Sequence, residues 1–88
     1  MAIHPSALKR ARQNDVRRER NRARRARLRN QIKSLREALT KKDRDQAQDL
    51  LRPTLSLIDR MRSKGLIHAN TAARTKSRLA RQVQALAK

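Results

Sequence analysis

The 88-residue sequence contains no Phe, Tyr or Trp. Proteins that bind single-stranded nucleic acid by base stacking depend on aromatic side chains, so this class of protein is disfavoured. Cys is also absent, which excludes disulfides and zinc–thiolate sites. Any ligand must therefore be bound by polar and charged side chains, and we expect no cofactor and no metal.

Glycine and proline are scarce, with one Gly and two Pro in the chain. Few breakers and no period-2 alternation of apolar residues indicate an all-helical fold. No apolar run approaches the roughly 20 residues of a membrane span. The N-terminus lacks the apolar segment of a secretory signal, so we expect a cytoplasmic protein that does not contact a membrane.

Positive charge is the most abundant feature that the sequence does contain. Lys and Arg number 25 against 7 acidic residues, the net charge is +18 and the pI is about 12.0. Residues 17–29 have the sequence RRERNRARRARLR. Such a segment repels itself and needs a polyanion, and nucleic acid is the commonest one in a cell. Most of the acids fall in residues 40–64, so we expect this segment to face away from the polyanion.

A first helix is predicted over residues 6–39, with Ser6 as its N-cap. The spacing of Leu28, Ile32, Leu35 and Leu39 places them on one helical face. Toward the N-terminus the same face carries Arg and Asn side chains instead. We therefore expect the N-terminal half of this helix to project beyond the core, or to be unfolded in the free protein.

Two shorter helices are predicted after it, over about 43–63 and 68–87. The T-x-x-D pattern of Thr40 and Asp43 predicts the start of the second, and Pro53 predicts a kink or local break inside it. Gly65 is expected in the left-handed conformation that ends a helix. The apolar faces predict a single domain, an antiparallel three-helix bundle, over residues 1–88. They are formed by Ala47, Leu50, Leu51, Thr54, Ile58 and Met61 in the second helix and Ala72, Ala73, Leu79, Val83 and Leu86 in the third.

Other classes of protein fit the sequence less well. A leucine zipper requires apolar residues every seven positions, but the series from Leu28 continues through Leu35 to Lys42. His4 and His68 have no partner at a catalytic spacing, and His68 is expected to cap a helix or contact phosphate. Asp15, Glu19 and Glu37 are expected to pair with Arg on their own helix. We expect no enzyme and no small-molecule substrate. The alternative function is that of a histone-like DNA-compacting protein. A membrane-active cationic helix is a weaker hypothesis, because the sequence lacks the bulky apolar anchors that such a helix needs.

Residues 64–79, KGLIHANTAARTKSRL, closely resemble the most recognisable motif of the bacterial small-subunit ribosomal protein family numbered twenty. The resemblance extends over the whole chain. It includes the opening at residues 6–10, Asn21 in the basic helix, and Ala47, Pro53, Ile58 and Asp59 in the second helix. Positions 69, 71 and 75 depart from it, since relatives often carry Lys, Lys and His there.

The resemblance implies a three-helix bundle with an extended first helix that binds small-subunit ribosomal RNA directly and joins early in assembly of the bacterial ribosome. We do not expect the protein to form a homo-oligomer. Together with the charge pattern, the resemblance predicts an RNA-binding surface with two groups of residues. The first group is Ser6, Lys9, Arg10, Arg12, Arg17, Arg18, Asn21, Arg22, Arg24, Arg25 and Arg29. The second group is Lys64, His68, Asn70, Arg74, Lys76, Ser77 and Arg78.

Overall fold

The computed structural model describes residues 5–87, which form three α-helices. They are α1, Pro5–Thr40, α2, Arg44–Ser63, and α3, Ala69–Ala87. Short turns make successive helices antiparallel, and α2 packs against both others, while α1 and α3 scarcely touch. The chain is elongated, with extents of 68 × 22 × 15 Å. The prediction of an all-α fold with three helices and a long first helix is confirmed.

The core is small and consists of aliphatic side chains from all three helices. Leu35, Ile58 and Leu79 are its largest fully buried apolar residues, one from each helix. They belong to the three predicted apolar faces, which therefore meet as expected. Ala38 and Leu57 are also buried, although the predicted faces did not include them. Ala73, by contrast, is exposed beside the buried Ala72.

Thr54 is the one buried polar residue in the part of the chain that the structure describes, and its hydroxyl links α2 to α1. Its hydroxyl donates to the Leu50 carbonyl at 2.6 Å and accepts a hydrogen bond from Gln31 Nε2 at 3.2 Å. The residue beside it, Pro53, is exposed and lies inside α2. The prediction that the helix continues past Pro53 is therefore confirmed, the alternative of a local break is wrong, and a kink stays a prediction. The carbonyl that lacks a partner because of Pro53 can be hydrated there.

The turn between α1 and α2 differs from the one that the sequence predicted. Thr40 is the last residue of α1, and its hydroxyl donates to the Arg36 carbonyl at 2.9 Å. Asp43 caps α2 instead, because its carboxylate accepts the Gln46 N–H at 3.2 Å. Between them Lys42 adopts a φ of 57°, in the left-handed region. The Asp43 N–H then reaches back to the Ala38 carbonyl at 2.9 Å, which closes the end of α1.

The turn between α2 and α3 confirms the prediction for Gly65, whose φ is 75°. Its N–H donates to the Arg62 carbonyl and that of Leu66 donates to the Met61 carbonyl, each at 2.9 Å, which is the Schellman pattern. His68 then caps α3, because its Nδ1 accepts the Asn70 N–H at 3.1 Å. The capping role, one of the two expected for His68, is therefore present.

Two further predictions about α1 are wrong. Ser6 is not the N-cap, since the helix already includes Pro5, and proline is well tolerated in a first turn. Asp15, Glu19 and Glu37 do not form the expected ion pairs, because the only pair within residues 5–87 joins Lys76 to Asp59. Exposed ion pairs gain little free energy in water, which explains why these three pairs do not form. None of the described helices is both long and apolar enough to cross a membrane.

Candidate nucleic-acid interface

The N-terminal part of α1 projects from the bundle as a solvated helix. Every side chain in residues 6–20, which we call the arm, is exposed, including the apolar Leu8 and Val16. At 1.5 Å per residue the arm is about 22 Å long. Its six basic residues therefore lie outside the part of the molecule that has a core. They are Lys9, Arg10, Arg12, Arg17, Arg18 and Arg20.

The arm leaves the bundle at the level where α2 ends. The hydrogen bond between Gln31 and Thr54 aligns these positions of the two antiparallel helices. Ten residues after Thr54 is Lys64, and ten residues before Gln31 is Asn21, so these two lie at a similar height. Asn21 is also the first described side chain of α1 that is half-buried. The same end of the bundle carries the α2–α3 turn.

One side of the arm continues the line of the core. Five turns of an α-helix take about 18 residues. Moving back five turns from the apolar positions at residues 28, 32, 35 and 39 leads to a second stripe. We call this stripe the inner face; it consists of Arg10, Asn14, Arg17 and Asn21. It contains no acidic residue, and its side chains point to the space where the bundle has ended.

The opposite side of α1 carries all three of its acidic residues. Asp15 and Glu19 are four residues apart, and Glu37 lies about five turns beyond Glu19, so the three share one line. We call this side the outer face; it also includes Arg12 and Arg22. The acids reduce the positive potential of the outer face, and nothing reduces that of the inner face. The arm is therefore electrostatically two-sided, although the sequence prediction treated its arginines alike.

The end of the bundle and the inner face of the arm border an open recess, which we call the notch. Its floor is the α2–α3 turn, where Lys64 and His68 are exposed, and its wall is the inner face. Both surfaces are cationic or neutral polar. The helix register thus places members of two predicted sets, which are far apart in the sequence, at the same end of the bundle. Arg24, half-buried at the base of the wall, belongs to the same place.

The predicted residues of α3 do not all share one surface. Asn70, Arg74, Ser77 and Arg78 follow one exposed stripe that begins at the notch and runs along the bundle. Arg81 extends this stripe by one turn. The sequence prediction did not include Arg81, although its spacing from Arg74 and Arg78 indicates the same helical face. Lys76 lies on the other flank, where its Nζ is 2.9 Å from Asp59 Oδ1. Its charge is thus partly neutralised by the protein itself.

The remaining predicted residues of α1 lie on its flanks. Ser6, Lys9, Arg18 and Arg25 are exposed beside the inner face. Arg29 lines a groove of about 500 Å³ between α1 and α3, with Ile32 and Arg36.

Among residues 5–87 no group of three or more His, Cys, Asp and Glu could hold a metal ion. The described surface is suited to binding phosphates because most of its charged side chains are cations.

Known proteins of one family are similar to this chain over nearly its whole length. Residues 2–84 match the family model described as ribosomal protein S20. The small ribosomal subunit protein bS20 of Syntrophobacter fumaroxidans is 52% identical over 86 residues, covering 98% of this chain and all of that protein. The protein of the same name from Desulfatibacillum aliphaticivorans is 51% identical over 87 residues, covering 99% of each. The chain therefore belongs to the ribosomal protein S20 family.

Proposed function

We propose that this protein is a component of the small ribosomal subunit in the bacterial cytoplasm, where it binds ribosomal RNA directly and stabilises the RNA fold during assembly. The names of its relatives support the first part, since each is a small ribosomal subunit protein. The protein is non-enzymatic, in agreement with its family. The charge and shape of its surface support direct RNA binding.

In the proposed mechanism, an RNA backbone lies in the notch. Arg10 and Arg17 contact phosphates from the wall, where a guanidinium can donate two parallel hydrogen bonds to one phosphate. Lys64 approaches the same RNA segment from the floor as a compact positive charge. Base-specific contacts contribute little, because an RNA duplex hides its major-groove edges and the protein has no aromatic ring for stacking.

The observation that carries this proposal is the separation of charge between the two faces of the arm. An arm that bound polyanions equally from every side, or that only repelled other proteins, would not require its acids to lie on one face. The inner face has no acid and continues the line of the core, so RNA bound there would touch the arm and the bundle end together. RNA on the outer face would touch the arm alone.

The test is a pair of double variants that remove equal charge from the two faces. Arg10→Gln with Arg17→Gln changes the inner face, and Arg12→Gln with Arg22→Gln changes the outer face. Gln retains helix propensity, so both variants should stay folded. In salt-titrated binding to small-subunit RNA, the inner variant should flatten the slope of log K against log salt by about 1.5–2, and the outer variant by much less. Equal slopes in the two variants would refute the proposed orientation.

The histone-like alternative is distinguished by the same measurement on a second ligand. A protein fitted to an RNA shape should bind small-subunit RNA more tightly than random duplex DNA at physiological salt, because more of its cations engage at once. Chemical footprinting should then show a discrete protected region of that RNA. Equal affinity for both nucleic acids, with no discrete footprint, would support non-specific DNA compaction instead.

A further inference from the structure

The surface between α1 and α2 contains a cluster of arginines that neither the motif nor the arm accounts for. Arg27 on α1 and Arg52 and Arg60 on α2 line one groove of about 380 Å³. Its apolar wall is Leu57, and Ser56 adds a hydroxyl. Arg52 and Arg60 are eight residues apart, so they stand about 12 Å from each other along α2. Arg27 approaches from the other helix.

No carboxylate lines this groove. Asp59 lies next to Arg60 in the sequence, but its side chain is on the α3 flank of α2, where it pairs with Lys76. Arg27, Arg52 and Arg60 are all exposed, and none has a carboxylate within 4.0 Å. Three cations that line one groove without a counterion give it a positive potential, which favours an anion bound there.

Chain order explains why the sequence prediction did not find this cluster. Residues 40–64 hold more acids than any other part of the chain, and we expected the segment to face away from the polyanion. Along the solvent-exposed side of α2, however, the acids are not evenly distributed. Asp45 and Asp49 lie in the first two turns, whereas Arg52 and Arg60 lie further on, nearer the notch, where the one acid, Asp59, is paired with Lys76. The average charge of the segment conceals this division.

We propose that the groove formed by Arg27, Arg52 and Arg60 binds phosphates of a nucleic-acid backbone, as a second contact separate from the notch. This inference rests on the proposed function, and it deepens it by assigning an RNA-binding role to α2. The groove is open at the surface and lies between two helices, so a continuous backbone can pass along it. The guanidinium fork suits phosphate oxygens better than an ammonium does.

The test compares three triple variants of the full chain. In the first, Arg27, Arg52 and Arg60 are each changed to Gln, which removes three charges from the groove. In the second, the same residues are changed to Lys, which retains the charge but loses the fork. The third is a control of equal charge, with Lys33, Lys41 and Lys42 each changed to Gln at the other end of the bundle. All these side chains are exposed, and circular dichroism should confirm that each variant is folded.

Hydroxyl-radical footprinting on small-subunit RNA is the main measurement. The Gln variant should lose one patch of protected backbone while the patch bound by the notch remains, and its salt slope should fall by about 2–3. The Lys variant should retain most of the slope but bind several-fold more weakly. The control should retain the complete footprint. Footprints and slopes that are equal for the Gln variant and the control would overturn the inference, while binding of small-subunit RNA by the unmodified protein would leave the proposed function intact.

A small anion could occupy the same groove, and titration with inorganic pyrophosphate distinguishes this case. If pyrophosphate binds the free protein, and the Gln variant loses that binding but retains the complete RNA footprint, the groove is a small-anion site and the inference is wrong. Loss of the RNA patch in the Gln variant supports the inference whether or not pyrophosphate binds.

Discussion

At the scale of single residues, Lys42 shows how the chain turns without glycine. It is the one non-glycine residue with positive φ among residues 5–87, and a side chain in this conformation costs roughly 1–2 kcal/mol. Lys42→Gly relieves that strain but adds freedom to the unfolded chain. We expect a net gain of about 0.5–1 kcal/mol in the free energy of unfolding, measured by urea denaturation. Lys41→Gly, one position earlier, is the control and should destabilise the protein.

His68 allows capping to be separated from RNA contact. His68→Ala removes the acceptor of the Asn70 N–H and should cost about 1 kcal/mol, whereas His68→Asn supplies another good capping oxygen and should cost little. Thermal unfolding of the free variants measures this difference. Binding of the Asn variant to small-subunit RNA then reports any contact made by the imidazole ring itself. Equal destabilisation by Ala and Asn would show that the side-chain hydrogen bond does not stabilise the cap.

At the scale of helices, the arm has no packing to support it. It contains like charges three residues apart, which are neighbours on a helix, such as Arg17 with Arg20, and each such pair destabilises a helix by a few tenths of a kcal/mol. A helical segment without tertiary contacts is marginal in water. In hydrogen exchange of the free protein, we expect little protection of amides 10–20 and strong protection of amides 32–39. Bound RNA should raise the protection of the arm; equal protection of both segments in the free protein would contradict this account.

The helices were more predictable than their ends. Apolar residues at helical spacing identified the three faces that meet at Leu35, Ile58 and Leu79. The cap of α2 was not predictable in the same way, because Thr40 and Asp43 are both good capping residues and only the path of the chain selects between them. The left-handed Lys42 had no signal at all in the sequence, since lysine has no preference for that conformation.

At the scale of the whole molecule, stability depends on one small core at one end of an elongated shape. Two Leu→Ala substitutions on the same helix test this. Leu35 is completely buried, so Leu35→Ala should cost about 2–5 kcal/mol and unfold much of the protein. Leu8 is 49% exposed on the arm, so Leu8→Ala should have almost no effect. Thermal melts followed by circular dichroism provide the measurement, and equal melting temperatures would place the core elsewhere.

The candidate site was predictable in its composition but not in its geometry. Charge and the motif at residues 64–79 indicated the cationic residues that should bind RNA. They did not indicate that Arg12 and Arg22 share a face with the acids of α1, or that Lys76 would pair with Asp59 at 2.9 Å. The α1–α2 groove also depends on residues from two helices that are aligned by the packed core and by the bond between Gln31 and Thr54. Such relations require the packed structure.

The length of the arm also affects how quickly the protein finds its partner. At physiological salt a charge is screened over about 8 Å, and the tip of the arm stands roughly 20 Å beyond the bundle. Its cations therefore meet an approaching polyanion before the bundle is within electrostatic range. For the proposed RNA partner, we therefore expect first encounters at the arm, over a larger capture radius than a round protein of this size would have. We then expect the bundle to dock within the proposed RNA complex after the arm has bound, so the association rate should depend on the arm and the lifetime on the rest of the interface.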